Sequence, residues 1–289
     1  MRICAACESR FPGDDWVCPS CGFSPARIDG IPTLAPDLAG GHSGDATYQH
    51  QALAEADARH FWFVARQRLV VWALQRYFPE ARTFCDFGCG GGGVLKAVHE
   101  RCPGLRLTAA DALTEGLTRA RQRVPAAEFV QLDLRRVPFD GEFDVAGIFD
   151  VLEHLDDDVA VLEMLRSAVV AGGGLLITVP QHRWLWSAVD EFSHHRRRYQ
   201  RRELVDKVMR AGFTIEYVTS FMTLLLPALT IARVRKRDSA TIDSAAELRI
   251  GSGANRVLAA ICAIEHRAIR LGWSLPIGGS LLVIARRCR

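Results

Sequence analysis

Four thiols near the start of the chain are spaced to hold one metal ion. Cys4-Ala-Ala-Cys7 and Cys18-Pro-Ser-Cys21 form two Cys-x-x-Cys pairs ten residues apart, which lets two tight knuckles bring four thiolates around tetrahedral Zn2+. A module of about 35 residues buries too little apolar surface to fold alone, so the metal would supply its folding energy and have a structural role. A second concentration is Asp86-Phe-Gly88-Cys89-Gly90-Gly-Gly92. A glycine turn between a strand and a helix lets the backbone approach a ligand closely, with the helix dipole aimed at its negative group. Asp111 ends the next apolar run, where a carboxylate can hold the two hydroxyls of a ribose. The third group is titratable and suits proton transfer: His154, then Trp184-Leu-Trp186-Ser-Ala-Val-Asp190-Glu-Phe-Ser-His194-His195-Arg-Arg-Arg198-Tyr199.

The elements that must position these groups alternate between short apolar runs and helix-period segments, the pattern of an α/β protein with a parallel sheet. Strands are expected at Thr83–Phe87, Arg106–Ala110, Phe129–Leu134, Phe143–Phe149 and Leu175–Val179. A helix opens at His60-Phe-Trp-Phe63-Val-Ala-Arg66 and stays apolar at helical spacing through Phe78. The acid at Asp86 would repel a pyrophosphate at the glycine loop. It could instead receive an ammonium group, which S-adenosylmethionine carries.

On the glycine loop, the acids ending the strands and the Asp150-Val-Leu-Glu153-His154 segment, the chain resembles class I S-adenosylmethionine-dependent methyltransferases of the ubiquinone-pathway-like type. The resemblance spans roughly residues 60 to 287. It implies a Rossmann-like sheet of seven strands in the order 3-2-1-4-5-7-6, strand 7 antiparallel. It also implies that Arg66, Asp86, Gly88, Cys89, Gly90, Gly92, Asp111, Ala112, Asp133, Leu134 and Phe149 bind the cofactor, with Arg66 on its carboxylate and Asp133 near adenine. His154, His194 and Asp190 are the candidate catalytic residues. Asp150, Glu153 and His154 resemble a catalytic divalent-metal motif, with His194 or His195 as a further ligand, if a helix already begins there; the less favoured reading is that such a metal is used. Arg27-Ile-Asp-Gly-Ile-Pro-Thr-Leu34 resembles the zinc-ribbon partners that activate RNA and protein methyltransferases, which implies a scaffold or docking role.

Composition narrows the classes. With 289 residues, 49% hydrophobic and 24% charged, the chain is globular, neither disordered nor fibrous. A net charge of +3 does not mark a nucleic-acid binder. The expected division is a zinc ribbon over 1–35, a linker over 36–50, and a methyltransferase domain over 51–289 with a helical insertion at 221–278. Met1-Arg2-Ile3-Cys4 lacks a secretory signal and Phe221–Ala232 is too short to span a bilayer, so a cytoplasmic location is expected, with peripheral contact at the inner membrane face left open. Arg196–Arg198, Arg201 and Arg202 could grip an acidic group or be a solvated turn. The favoured acceptor is a small or lipid-linked molecule; RNA or protein docking on the ribbon, and a non-catalytic cofactor-binding partner role, are the alternatives.

Overall fold

The structure, a computed structural model, describes residues 1–13, 15–40, 59–236 and 250–288. Two short strands, β1 (Arg2–Ile3) and β2 (Arg10–Phe11), form a ribbon of their own, and β3 (Ala26–Ile28) and β4 (Ile31–Thr33) form a hairpin. The central strands are β5 (Thr83–Phe87), β6 (Arg106–Asp111), β7 (Glu128–Gln131), β8 (Phe143–Phe149), β9 (Val169–Pro180), β10 (Phe213–Phe221) and β11 (Ser280–Arg287). They line up as β7-β6-β5-β8-β9-β11-β10, which is the expected 3-2-1-4-5-7-6 order. Strand β11 is antiparallel to both neighbours.

The sheet has nine strands where seven were expected, because the hairpin β3–β4 continues it beyond β7. Thr33 pairs in parallel with Gln131, and Leu34 N–H donates to the Gln131 carbonyl at 2.9 Å. The Gln131 side chain, fully buried, accepts from Ala35 N–H at 2.9 Å and donates to the carbonyls of Ala35 and Ala112 at 2.7 and 2.8 Å. The boundary expected at residue 35 therefore falls inside a docked segment. Beyond it, the Ala39 carbonyl accepts from Thr114 N–H and Oγ1; residues 41–50 of the expected linker lie outside the described residues. The ribbon is tied down further by Arg2, which is 1% exposed, pairs with Glu128 and lies 4.3 Å from the Trp16 ring centroid.

Helices cover both faces. On one lie α1 (Phe61–Tyr77), α2 (Gly93–Arg101) and α3 (Thr114–Arg123); on the other, α4 (Asp158–Ala168) and α6 (Arg201–Arg210), while α5 (Ala188–Phe192) is a single turn in the loop after β9. Each helix is amphipathic in the expected way. In α1, Leu69, Val70, Ala73 and Leu74 face the sheet, and burying such a side chain contributes about 1.5–3 kcal/mol for the larger ones. Within the expected insertion, α7 (Leu226–Lys236) and α8 (Ser252–Arg270) are helical. The latter packs along α1, and Asn255 joins their starts by accepting from Phe61 N–H and donating to the Arg59 carbonyl, both at 2.8 Å. No helix among the described residues is long and apolar enough to cross a membrane.

Candidate active site

At the carboxyl edge of β5 the chain turns through Gly88, Gly90 and Gly92 with φ of 79°, 50° and 77°, values that L side chains rarely adopt. Their surroundings differ. A Cβ on Gly88 would lie 2.4 Å from Val151 and one on Gly92 2.7 Å from Ala120, whereas Gly90 faces open space. Packing thus fixes two glycines, and the third leaves bare backbone for a ligand. Asp111 at the end of β6 braces this loop: its carboxylate accepts from Gly90 N–H at 2.8 Å and Leu113 N–H at 2.9 Å. Asp86 is buried on β5, Phe149 is buried at the end of β8, and Cys89 and Leu134 are buried nearby in sequence to the loop and to β7. Asp133 lies two residues past β7 and accepts from Arg135 Nε at 2.8 and 2.9 Å. Burial pushes its carboxyl up, but the Arg135 hydrogen bonds and charge more than offset this and hold it below the usual range.

Arg66 on α1 makes an ion pair with Asp150 at 2.6 Å, and Thr178 Oγ1 donates to the same carboxylate at 2.9 Å. Asp150 itself has a left-handed backbone, φ 57°. No α-helix begins there, since Leu152–His154 is a 3-10 turn. The single helical face expected for Asp150, Glu153 and His154 is therefore not formed, and Asp150 turns toward α1.

Glu153 and His154 meet the loop after β9 instead. The ligand atoms of Glu153, His154 and His195 all lie within 4.8 Å of one another. His195 Nε2 is 3.8 Å from Glu153 Oε1, and its ring centroid is 4.8 Å from that of His154. On the other side, His195 Nδ1 is 2.9 Å from Asp190 Oδ1, which also accepts from Arg198 Nε at 2.7 Å. Burial raises the Asp190 carboxyl, but His195 and Arg198 outweigh it and bring it to about 2. An ionised Asp190 accepts only, so Nδ1 must carry a proton, which leaves Nε2 as the basic nitrogen of the neutral ring. Burial, with His195 adding to it, lowers His154 to about 4. Burial and the charge of Asp150 push the Glu153 carboxyl well up, and neither of its buried oxygens has a hydrogen-bond partner among the described residues.

The loop's architecture explains why these groups converge. Asp190 closes a capping box with Ser187 at the start of α5, and Arg196 N–H donates to the Glu153 carbonyl at 2.8 Å. His194 has φ 55° and is exposed; its backbone hydrogen-bonds to His154. The structure therefore gathers the ring of His195 with Glu153, His154 and Asp190, while His194 meets His154 through its backbone and is not in the group of close ligand atoms. The arginines that could have gripped an acceptor are engaged within the protein: Arg196 on Asp156, Arg197 on Asp158, Arg198 on Asp190, and Arg201 on the carbonyls of Val218 and Leu275. Arg202 is exposed on α6.

The N-terminal thiols form a separate centre. Cys4 and Cys21 sulfurs are 3.6 Å apart, and those of Cys7 and Cys18 are 3.7 Å apart. Four sulfurs at a Zn–S distance of about 2.3 Å have edges of about 3.8 Å in a tetrahedron, so the set fits structural zinc.

A sequence profile described as Methyltransferase domain matches residues 54–218, more than half of the chain. The chain belongs to this methyltransferase family. The methyltransferase is 30% identical over 188 residues to malonyl-[acyl-carrier protein] O-methyltransferase of Enterobacter lignolyticus, a match covering 61% of this chain and 72% of that one. It is 33% identical over 115 residues to trans-aconitate 2-methyltransferase of Azoarcus sp., where it spans only 43% of the relative and 40% of itself. Its fold superposes on a chain from a Haloferax volcanii complex of the Trm112 methyltransferase activator with a methyltransferase, at TM-score 0.55 and 19% identity over 85% of this chain and 96% of that one. A geranyl diphosphate C-methyltransferase from Streptomyces coelicolor gives TM-score 0.52 and 15% identity over 78% and 76%. These two likenesses show the Rossmann-like fold used with S-adenosylmethionine.

Proposed function

We propose that this methyltransferase transfers a methyl group from S-adenosylmethionine to a small-molecule or lipid-linked acceptor whose nucleophile carries a proton. The observation that carries the reading is the His195–Asp190 pair at the sheet's carboxyl edge, beside the Val151 turn that packs on the glycine loop. The donor fits the residues present. The open backbone at Gly90 with Asp111 suits the ribose, Asp86 the ammonium group and Asp133 the adenine amino group. Bound there, S-adenosylmethionine supplies an electrophilic methyl group on a sulfonium.

Methyl transfer asks the chain to align the acceptor, exclude water and take up a proton. Nε2 of His195 is the basic nitrogen, and Asp190 stabilises the imidazolium that forms by accepting from Nδ1–H. His154, kept neutral, flanks this nitrogen without competing charge. The aromatic loop with Trp184 and Trp186 covers the same edge and suits an apolar acceptor. Relatives named for trans-aconitate and malonyl-[acyl-carrier protein] favour a small or carrier-linked molecule over RNA. The zinc ribbon acts as a scaffold: through Gln131 it supports the Ala112 carbonyl, next to Asp111. Incubation with methyl-labelled S-adenosylmethionine and cell extract, followed by separation of lipid, small-molecule, RNA and protein fractions, tests this. Label confined to RNA, or to protein from which thioester cleavage does not release it, contradicts it.

A second reading rests on the two unpartnered oxygens of buried Glu153. With His154 and His195 they make a two-nitrogen, one-carboxylate set that suits a divalent transition ion. Glu153, His154 and His195 would hold the ion and Asp190 would orient His195. Turnover that is lost with EDTA under conditions sparing the zinc, and restored by added Mn2+, favours this reading over the base.

A further inference from the structure

A basic groove lies away from these groups, on the outer side of the α1 layer. It has a volume of 630 Å³ and runs between α1 and α8, ending at the last turn of α2. Arg68, Arg101, Arg267 and Arg270 line it, and no aspartate or glutamate is among its lining residues. None of the four guanidiniums has an ion pair with a carboxylate among the described residues, in contrast to Arg196, Arg197 and Arg198. Four unpaired guanidiniums converging on one groove repel one another, so an anion there would relieve the repulsion. Guanidinium forks match phosphate oxygens in particular.

Two features make this more than a charged patch. His266 lines the groove, is 8% exposed, and its buried Nε2 has no hydrogen-bond partner among the described residues. Burial, with Arg68 and Arg270 adding to it, lowers this imidazole to about 4, so it stays neutral and can donate one N–H to an acceptor oxygen. Trp72 forms a rigid wall, held edge-on against Tyr77 and Tyr217 with ring centroids 5.8 Å away in each case. A buried, neutral imidazole lining a cationic, aromatic-walled groove of this size has the composition of a ligand site. Beyond the groove, α8 exposes Val257 and Ile264, and Leu271 and Trp273 follow it at 80% and 66% exposure.

We infer that this groove binds a phosphate-bearing ligand, the phosphate lying among Arg68, Arg101, Arg267 and Arg270 over His266. None of its lining residues belongs to the glycine loop or to the Glu153 group, so the inference stands apart from the proposed reaction. The source of the phosphate is either a soluble phosphate compound or the headgroup of an anionic lipid, whose chains would meet the exposed Val257, Ile264 and Leu271.

The test uses the full chain, titrated calorimetrically with inorganic pyrophosphate and sedimented with phosphatidylcholine vesicles with and without phosphatidylglycerol. The double variant Arg267→Glu/Arg270→Glu changes two exposed side chains, and retained S-adenosylmethionine binding reports that it has folded. Arg202→Glu/Arg210→Glu, the same charge change on α6 across the sheet, controls for net charge. The expected result is saturable binding of one probe that falls about tenfold or more in the groove variant, since loss of a charge-assisted pair is worth roughly a factor of ten or more, and stays near wild type in the control. Pyrophosphate binding assigns a soluble phosphate. Binding confined to the phosphatidylglycerol vesicles and weakened by Ile264→Ser/Leu271→Ser assigns a lipid headgroup. Binding of neither probe, or an equal loss in both charge variants, overturns the inference.

Discussion

Asp111 and the histidines are where the chemistry can be tested one side chain at a time. Asp111 holds the Gly90 and Leu113 amides and, in the proposed function, is the carboxylate that meets the ribose. Its replacement by Ala should weaken S-adenosylmethionine binding, measured calorimetrically, by about 2–4 kcal/mol, because hydrogen bonds to a charged acceptor contribute about 1.5–3 kcal/mol each but not additively. His154 and His266 are both lowered from 6.5 to about 4. Between those values the unfolded chain takes up protons that the folded chain does not. Their contribution is therefore complete above about pH 6.5 and is lost as pH falls toward 4, at up to about 1.4 kcal/mol per pH unit for each imidazole. Denaturant unfolding at a series of pH values should show this slope, and His154→Asn/His266→Asn should flatten it. The glycine turn and Asp111 stood out in the sequence because an apolar strand runs into each; Asp86 lies within β5 and Asp133 two residues past β7. The sequence put forward His194 as a catalytic histidine, whereas the ring that meets Asp190 is that of His195. That difference depends on the left-handed backbone at His194 and on a capping box that carries Asp190 to its neighbour, both consequences of the folded loop.

At the scale of elements, one buried acid ties α8 to the turn that leads from β10 into α7. Glu265 on α8 accepts from the backbone N–H groups of Met222, Thr223 and Leu224 at 2.6, 2.7 and 3.0 Å. Burial pushes its carboxyl up, and those three donors oppose the shift. Glu265→Ala strands buried donors and should lower the unfolding free energy by about 2–3 kcal/mol, with hydrogen exchange rising first in residues 222–226. Nothing in the amphipathic spacing of α8 marked this residue, since an isolated Glu on a helix is ordinarily solvated. The hairpin β3–β4 was also invisible as structure. Ala26-Arg27-Ile28 and Ile31-Pro32-Thr33 are too short for alternation to register, and Pro32 argues against a strand until the sheet edge is there to accept it. The first five of the longer strands, by contrast, follow from apolar runs separated by helices of ordinary length, while the order of all seven is what the family resemblance implied.

The whole molecule couples its zinc ribbon to its methyltransferase sheet. A ribbon on a free linker would unfold alone, leaving the remainder nearly intact. Here β4 continues the sheet, Arg2 is buried against Trp16 and Glu128, and Gln131 links Ala35 to Ala112. Cys7→Ser or zinc chelation should therefore lower the midpoint of the main thermal transition and weaken S-adenosylmethionine binding together, in scanning calorimetry and titration. The same coherence sets the account's central claim, that the His195–Asp190 pair serves methyl transfer from a donor bound at the glycine loop. The direct measurement is S-adenosylhomocysteine formation, by mass spectrometry, from wild type and His195→Asn with S-adenosylmethionine and the small-molecule and lipid extract. Wild type should form it only when extract is present, and His195→Asn should form it about 100-fold or more slowly while binding the donor as tightly, the typical contribution of a general base. Extract-dependent product that His195→Asn forms at the wild-type rate, or no product from wild type with any fraction, contradicts the account.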